Sequence, residues 1–443
     1  MIFFVLIFCI AIIVVSTTRY KLHPFLALLI AALSFGILSG MPLTLIVESI
    51  NTGFGSTLGN IGLVIILGVI IGAFLEHSGG AYALAEKVLN LIGPKRISTA
   101  MAMIGYIVSI PVFADSGFVI LSPLNRALTK RINKSLAGTS IALAVGLLAS
   151  HSMVPPTPGP IAAAGILNAD LGLVIFWGIL ASGIGLIPAI IFANKVASKT
   201  FIDPNPDLSE EELKNKLSDS PGIVKSILPI LVPILLIVIK SFNTYLGVVD
   251  TGFVFDTINF IGTPVIALLI GLCFALLLPK KLERSMLSLD GWTGKALKEA
   301  AIILMITGAG GAFGKILQNS SLPDQIGTVF GVASLGLWLP FLISASLKTA
   351  QGSSTVAMIT TASIIAPMMS TLGLTTDIEI ALAVLAIGAG STVISHANDS
   401  FFWIVTQMSS MNVSMGYRLH SLGIGIFGVS AFLILLVIQF ILT

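Results

Sequence analysis

Long apolar segments recur along almost the whole chain, and they constrain the fold more than any other feature. Runs of about 17 to 25 apolar residues match the length that a helix needs to cross the hydrocarbon core of a bilayer. Of the 443 residues, 56% are hydrophobic and only 10% are charged, and the mean hydropathy is +1.04. A soluble fold cannot bury so much apolar surface, so the sequence predicts an all-α polytopic membrane protein.

Several of these runs are interrupted, most clearly by the Ser-His-Ser-Met-Val-Pro-Pro-Thr-Pro-Gly-Pro block at 150–160. Four prolines within six residues remove backbone donors and forbid a regular helix. Irregular backbone at membrane depth is tolerated only against protein or a water-filled cavity. Broken apolar runs at 41–60, 154–170, 352–372 and 398–415 therefore predict re-entrant hairpins or discontinuous helices, with about 10 to 14 spans in all.

The two halves of the chain share landmarks in the same order. Gly-Ala-Phe at 72–74 recurs at 311–313, the glycine at 117 recurs at 352, and Ser-His at 150–151 recurs at 395–396. This order predicts two repeats, residues 1–194 and 223–443. The polar, charged segment 195–222 between them reads as a soluble cytoplasmic linker, with Ser209 capping a short surface helix.

The distribution of basic residues predicts the orientation of these repeats. Short loops rich in Lys and Arg favour the cytoplasm, whereas the segment with Asp250 and Asp256 should lie outside. The cytoplasmic set comprises Arg19, Lys21, Lys95, Arg96, Arg126, Lys130, Arg131, Lys134, Lys280, Lys281 and Arg284. The apolar amino terminus has no preceding basic residues, which favours a retained first span with an extracytoplasmic start. The repeats then have inverted topology, as in many secondary transporters.

Four polar interruptions, at 113–117 and 151–160 in the first half and at 348–355 and 396–400 in the second, supply hydroxyls, amides and freed backbone groups beside helix starts. Helix N-termini present N–H groups and the positive end of the helix dipole, which favour an anion. The predicted substrate-binding residues are Ser116, Gly117, His151, Thr157, Gly159, Gln351, Gly352, Ser353, Ser354, Thr355 and Asn398.

Titratable groups at the same interruptions are candidates for proton coupling: Asp115, Asp399 and His396. An acid within a membrane segment is functional by default, and histidine titrates near neutral pH. The alternatives are a loop-end carboxylate for Asp115, an interfacial position for Asp399, and simple helix packing for the histidines. Lys348 could pair with a substrate carboxylate or extend to the membrane surface.

Other classes of site lack their signatures. Cys9 and Cys273 stand alone and no His-Glu-x-x-His spacing occurs, so no metal is expected. Residues 308–315 resemble a nucleotide loop superficially, but Ala309 and Ile316 break the pattern. We expect no cofactor, and transport driven by a proton, a sodium ion or the solute's own gradient. The net charge of +3 gives no indication of nucleic-acid binding.

At these motifs the chain resembles the gluconate permease family of bacterial inner-membrane sugar-acid:proton symporters, within the ion transporter superfamily. The matching segments are 21–29, 151–160, 168–172, 308–313, 352–358 and 399–403. The resemblance implies import of gluconate or a similar hydroxy-carboxylate with a proton. Family members often carry Glu where Asp115 stands, and the lead-in at 395–398 also departs from the pattern. Relatives that carry other hexonates, glycerate, hydroxybutyrate or D-serine leave the substrate open.

Two other functional classes compete with a secondary transporter. A channel would need a continuous polar lining, whereas the polar residues here cluster at four interruptions. An intramembrane enzyme would need a nucleophile, a base and oxyanion donors together, and nothing near His151 and Ser152 orients the imidazole. We therefore expect a transporter whose partners are a small anion, a proton and the bilayer. Its oligomeric state stays open, with a homodimer among the alternatives.

Overall fold

The computed structural model describes residues 2–93, 96–204, 218–322 and 335–442, and within these ranges it contains helices and no strand. The helices, in chain order, are α1 (Ile2–Thr18), α2 (Pro24–Leu38), α3 (Leu43–His77), α4 (Gly80–Ile92), α5 (Ile97–Val108), α6 (Ala114–Arg131), α7 (Leu136–Met153), α8 (Pro158–Leu167), α9 (Leu171–Lys195), α10 (Ile223–Leu246), α11 (Gly252–Ile261), α12 (Pro264–Ala275), α13 (Trp292–Gln318), α14 (Trp338–Gln351), α15 (Ser354–Ile365), α16 (Asp377–Gly390), α17 (Ser400–Met408) and α18 (Val413–Leu442). The predicted all-helical class is confirmed.

Among the described residues, six helical stretches are long and apolar enough to cross a membrane. The number rises to seven if α11 and α12, which meet at 68°, form one span. Shorter apolar helices, including Pro24–Leu38 and Ile97–Val108, fall below that length. The sequence-based estimate of spans is higher because it counts these shorter and broken segments as well.

The predicted break at 41–60 is absent, because the 35-residue helix α3 runs through it without interruption. Small residues in this stretch serve helix packing instead. A Cβ atom on Gly53 would lie 2.5 Å from the carbonyl oxygen of Gly311 in α13. Small residues let two membrane helices approach at backbone distance, so a polar or glycine-rich pattern here does not open the helix.

Helices α3 and α13 pack side by side and run in opposite directions. The Asn319 amide donates to the Ser49 hydroxyl over 2.9 Å at one end. The rings of Phe74 and Trp292 lie 5.2 Å apart at the other end. These helices carry the repeated Gly-Ala-Phe landmark, so matching elements of the two halves are antiparallel, as an inverted repeat requires. The glycine-rich 308–315 segment lies inside α13, where it packs against α3.

Discontinuous helices occur at all four predicted interruptions, at 109–113, 154–157, 352–353 and 391–399. The prolines end α7, and Pro155–Pro156 is a cis peptide. Ser353 and Asp399 cap the helices that follow, because each side chain accepts a hydrogen bond from a backbone N–H of the next turn. Local chemistry therefore accounts for the last three of these breaks.

The basic segment around Arg126 is not a loop, contrary to expectation. Arg126, Lys130 and Arg131 lie in the last turns of α6, where positive charge favours the helix end. Arg126 is buried, and its Nε donates to the Met408 carbonyl over 3.0 Å. This hydrogen bond compensates the buried guanidinium, so α6 can continue past Arg126.

Helix α9 ends at Lys195 and α10 begins at Ile223. The division of the chain into repeats at these points stays a prediction. The surface helix predicted at Ser209 and the basic position Lys95 lie outside the described residues.

Candidate functional site

The broken helices converge on one cavity of about 500 Å³. Its walls combine residues from the breaks, the end of α7 and one face of α13. The lining residues are Phe113, Ala114, Asp115, Ser116, Leu148, His151, Glu299, Ile302, Ile303, Gln351, Gly352, Ser353, Ser354, Thr355, Asn398, Asp399, Ser400 and Phe401. The structure thus brings together residues from both halves of the chain that the sequence placed at separate interruptions.

Three helices begin at this cavity: α6 at Ala114, α15 at Ser354 and α17 at Ser400. The first turn of a helix has backbone N–H groups without intrahelical acceptors, and it carries the positive end of the helix dipole. Three such ends around one space form an environment that suits an anion.

Asp115 lies in the first turn of α6, lines the cavity and is half-buried. The Ser400 hydroxyl, on α17, donates to its Oδ2 over 3.0 Å. This contact joins the first half of the chain to the second. The position differs from that of a loop-end carboxylate in bulk water, and it exposes Asp115 to any ligand in the cavity.

Lys348 and Asp399 form a buried ion pair, with Nζ 2.7 Å from Oδ2 and side-chain exposures of 1% and 6%. Lys348 also donates to the Gly352 carbonyl over 2.5 Å. Lys348 therefore does not extend to the surface, and with its ammonium paired to Asp399 it does not line the cavity; its action on a substrate carboxylate stays a prediction. Asp399 is likewise buried rather than interfacial. None of the described lining residues is Lys or Arg, so the cavity wall has no uncompensated basic side chain.

Two lining residues carry buried polar atoms without a hydrogen-bond partner among the described residues. They are Nδ1 of His151 and both amide atoms of Gln351. Buried polar groups normally have partners, since leaving one unpaired costs free energy. A polar ligand in the cavity would supply the missing hydrogen bonds.

Four predicted site residues do not line the cavity. A Cβ on Gly117 would contact Leu147, and one on Gly159 would contact Met358. The Thr157 hydroxyl donates to the Val154 carbonyl over 2.8 Å.

The fourth residue, His396, has its Nε2 2.7 Å from the Thr349 carbonyl oxygen. All four residues lie in the breaks or in the helix turns beside them, and each packs against or bonds to protein. Their proposed contacts with substrate or proton therefore stay predictions.

Three further residues at the site were not predicted from the sequence. They are Glu299, which lines the cavity from α13, and the pair Ser395 and His420 behind Asp399. No motif could identify them, because their proximity depends on the packing of distant helices. Among the described residues, no group of three or more His, Cys, Asp or Glu side chains could hold a metal ion.

Residues 1–441 match the model of the GntP family permeases. An uncharacterized permease of Haemophilus influenzae is 37% identical over 425 residues, covering 92% of this chain and 86% of the relative. The gluconate permease of Pseudomonas aeruginosa is 35% identical, with coverages of 91% and 90%. The D-serine transporter DsdX of Escherichia coli is 32% identical, with coverages of 94% and 93%.

Among solved structures, the YdaH transporter of Alcanivorax borkumensis, described as having an unusual topology, superposes with a TM-score of 0.58. It is 16% identical and covers 88% of each chain, so the likeness concerns the fold. The helical fold, the cavity between broken helices and the nearly full-length family match agree: this multi-pass membrane protein belongs to the GntP family of permeases.

Proposed function

We propose that the protein imports a small hydroxy-carboxylate, with gluconate as the first candidate, together with a proton across the bacterial inner membrane. The observation that carries the proposal is a cavity with three helix starts and many hydroxyl and amide groups, in which the carboxylates of Asp115 and Glu299 face no Lys or Arg among the described lining residues. Such a cavity suits a hydroxylated anion only when the carboxyl group beside that anion is neutralised.

The electrostatic argument gives the proton its role. Two unit negative charges 4 Å apart repel by about 4 kcal/mol at the effective dielectric typical of protein sites. Protonation of Asp115 would remove that repulsion as the substrate carboxylate binds. Asp399 and His396 are the other candidate carriers, but Asp399 is already paired with Lys348, and His396 with a carbonyl. Asp115 is therefore the first choice.

A carboxylate and a proton that cross together move no net charge. Uptake would then follow the pH gradient more than the membrane potential. Binding and release would alternate between the two sides as the inverted halves rearrange, and the contact between Ser400 and Asp115 is one that spans the halves.

A D-amino acid such as D-serine is the second candidate substrate. The cavity carboxylates Asp115 and Glu299 could pair with an ammonium group, and one relative is named a D-serine transporter. A zwitterion would place its carboxylate at the helix starts and its ammonium at Asp115, without need of a proton on that residue.

Proteoliposomes loaded with the pH dye pyranine test the proposal. Gluconate added outside should acidify the lumen, and an imposed inward pH gradient should drive accumulation. Solute flux that is independent of protons would indicate a channel, and chemical change of the solute would indicate an enzyme. D-serine uptake without acidification would favour the second candidate. The mass of the purified protein in detergent would show whether it is a homodimer.

A further inference from the structure

A chain of hydrogen-bonded side chains leads from the cavity wall into the protein interior and ends at His420. The Ser395 hydroxyl donates to Asp399 Oδ2 over 2.5 Å, beside the Lys348 ammonium. Ser395 Oγ lies 3.1 Å from His420 Nε2. Asp399 lines the cavity, whereas Ser395 and His420 do not, and both are fully buried. The chain therefore extends behind the wall rather than along it.

Hydrogen-bonding capacity assigns the donor at each contact. A carboxylate only accepts, so the hydroxyl hydrogen of Ser395 points to Asp399, and Ser395 accepts from the Nε2–H of His420. A neutral imidazole with a hydrogen on Nε2 has a bare Nδ1. Nδ1 of His420 is buried and has no hydrogen-bond partner among the described residues. The chain thus ends in a nitrogen that can accept a proton.

The surroundings hold His420 in place without adding another charge. It lies in the π-helical turn Gly416–Ser421 of α18, a kind of irregularity frequent at functional sites. The Phe401 and Phe402 rings pack against the imidazole at 5.5 and 5.8 Å, and the Ser421 hydroxyl donates to the Ser395 carbonyl. The charged side chains that act on His420 are Asp399 and Lys348.

Among the described groups that donate to Asp399, one can pass a proton to its Oδ2. That oxygen accepts from Lys348 and Ser395, and Oδ1 accepts from the Phe401 backbone N–H. An amide does not give up its hydrogen, and transfer from Lys348 would only neutralise the pair internally. Ser395 is the remaining donor, and its own hydrogen can be replaced from His420.

We propose that His420 and Asp399 exchange a proton through the Ser395 hydroxyl during uptake, and that this exchange is the entry step for the single proton that Asp115 then carries with the substrate. Asp399 and Asp115 both line the cavity. In the forward step a proton that reaches the buried Nδ1 of His420 binds there, the Nε2 proton passes to Ser395 Oγ, and the Ser395 hydroxyl proton passes to Asp399 Oδ2. One proton enters and one carboxylate is neutralised, so the step balances. The positive charge of Lys348 is then uncompensated beside Gly352, where it favours a substrate carboxylate in the cavity.

This inference rests on the proton coupling proposed above, and a glutamine substitution tests it. His420→Gln keeps an N–H donor near the Nε2 position but cannot take up a proton. His77→Gln, at an exposed histidine on α3, is the matched control. In proteoliposomes a one-to-one symporter accumulates substrate about tenfold per pH unit. His420→Gln should abolish this accumulation while counterflow exchange stays within about twofold of wild type, and His77→Gln should behave as wild type.

Accumulation by His420→Gln that matches wild type would overturn the proposal. Should that variant fail to fold, Ser395→Ala interrupts the same chain and has the same expected result. A separate measurement is nitrogen NMR of the purified protein labelled with [¹⁵N]histidine, with the His420 signals assigned by their loss in His420→Gln. Asp399→Asn should shift those signals, and Asp256→Asn, at an exposed site, should not.

Unchanged His420 signals in Asp399→Asn would refute the exchange whatever the transport assay gives. A shifted signal in a protein that shows no proton-driven uptake would support the contact between the two residues and count against the proposed symport alone. The two measurements therefore separate failure of this inference from failure of the proposed function.

Discussion

At the scale of single residues, the pair of Lys348 and Asp399 has the largest energetic consequence. Both side chains are buried and 2.7 Å apart, so removing one partner leaves a charge without compensation, which costs about 3 to 5 kcal/mol. Lys348→Met should therefore lower the melting temperature of the detergent-purified protein strongly, and adding Asp399→Asn should restore much of the loss.

The surface pair of Lys130 and Asp203 offers a control for this experiment, because both side chains are more than half exposed. Exposed pairs contribute about 0 to 1 kcal/mol, so Lys130→Met should leave the melting temperature almost unchanged. Equal melting temperatures for Lys348→Met and Lys130→Met would contradict a structural role for the buried pair.

Asp115 is the residue whose change should separate binding from coupling. Asp115→Asn keeps the size and a hydrogen-bond acceptor for Ser400, but it removes the titratable group from the cavity. We expect loss of uphill accumulation in a pH gradient, while counterflow exchange survives. Asp256→Asn, exposed on α11, is the control. Normal uphill uptake by Asp115→Asn would exclude this residue as the proton carrier.

At the scale of elements, Gly352 fixes the break between α14 and α15 against the break before α17. Its φ of +84° lies in the left-handed region, and a Cβ would lie 2.2 Å from the Asn398 carbonyl oxygen. Gly373 has a φ of +71° with open space around it. Gly352→Ala and Gly373→Ala should share a backbone penalty of roughly 1 to 2 kcal/mol, but only Gly352→Ala must push two breaks apart.

Uptake rates should show the difference: a loss of at least about tenfold for Gly352→Ala, equivalent to 1.4 kcal/mol, and near wild-type rates for Gly373→Ala. Comparable rates in the two variants would show that contact between the breaks does not shape the site.

The same elements show which features of the fold and of the site can be predicted from the sequence. Two of the four confirmed breaks, at 154–157 and 352–353, follow from local chemistry, since clustered prolines and a glycine at positive φ disrupt a helix. The side chains that face the cavity could not be predicted as well, because the Thr157 hydroxyl bonds to Val154 within its own break and Gly159 packs against Met358. Gly, Ser and Thr also mislead at 41–60, where they serve close packing instead of a break.

Contacts between residues far apart in the chain could not be predicted from the sequence either. Lys348 and Asp399 are 51 residues apart in the chain, and Ser400 and Asp115 are 285 apart. A single sequence carries no signal for such pairs. The symmetry of the landmarks did indicate that breaks from both halves would meet.

At the scale of the whole molecule, two ion pairs place Lys130 and Lys280 beside the linker, at one end of the molecule. Lys130 pairs with Asp203 at the start of the linker, and Lys280 pairs with Asp219 at its end. Asp250 follows α10, whose 24 residues span about 36 Å. Since α10 begins directly after the linker, Asp250 lies at the opposite end of the molecule. This separation agrees with a cytoplasmic linker, which stays a prediction, as does the extracytoplasmic start of α1.

Cysteine labelling tests this orientation in intact cells. Cys9 and Cys273 are unpaired, so replacing both with Ser gives a background without thiols. A membrane-impermeant maleimide should label Asp250→Cys from outside, because that position is exposed at the end opposite the linker. Lys130→Cys and Lys280→Cys should react only after the cells are made permeable. Labelling of Asp250→Cys and Lys130→Cys from the same side would contradict a transmembrane position for α10, because this one helix separates the linker from Asp250.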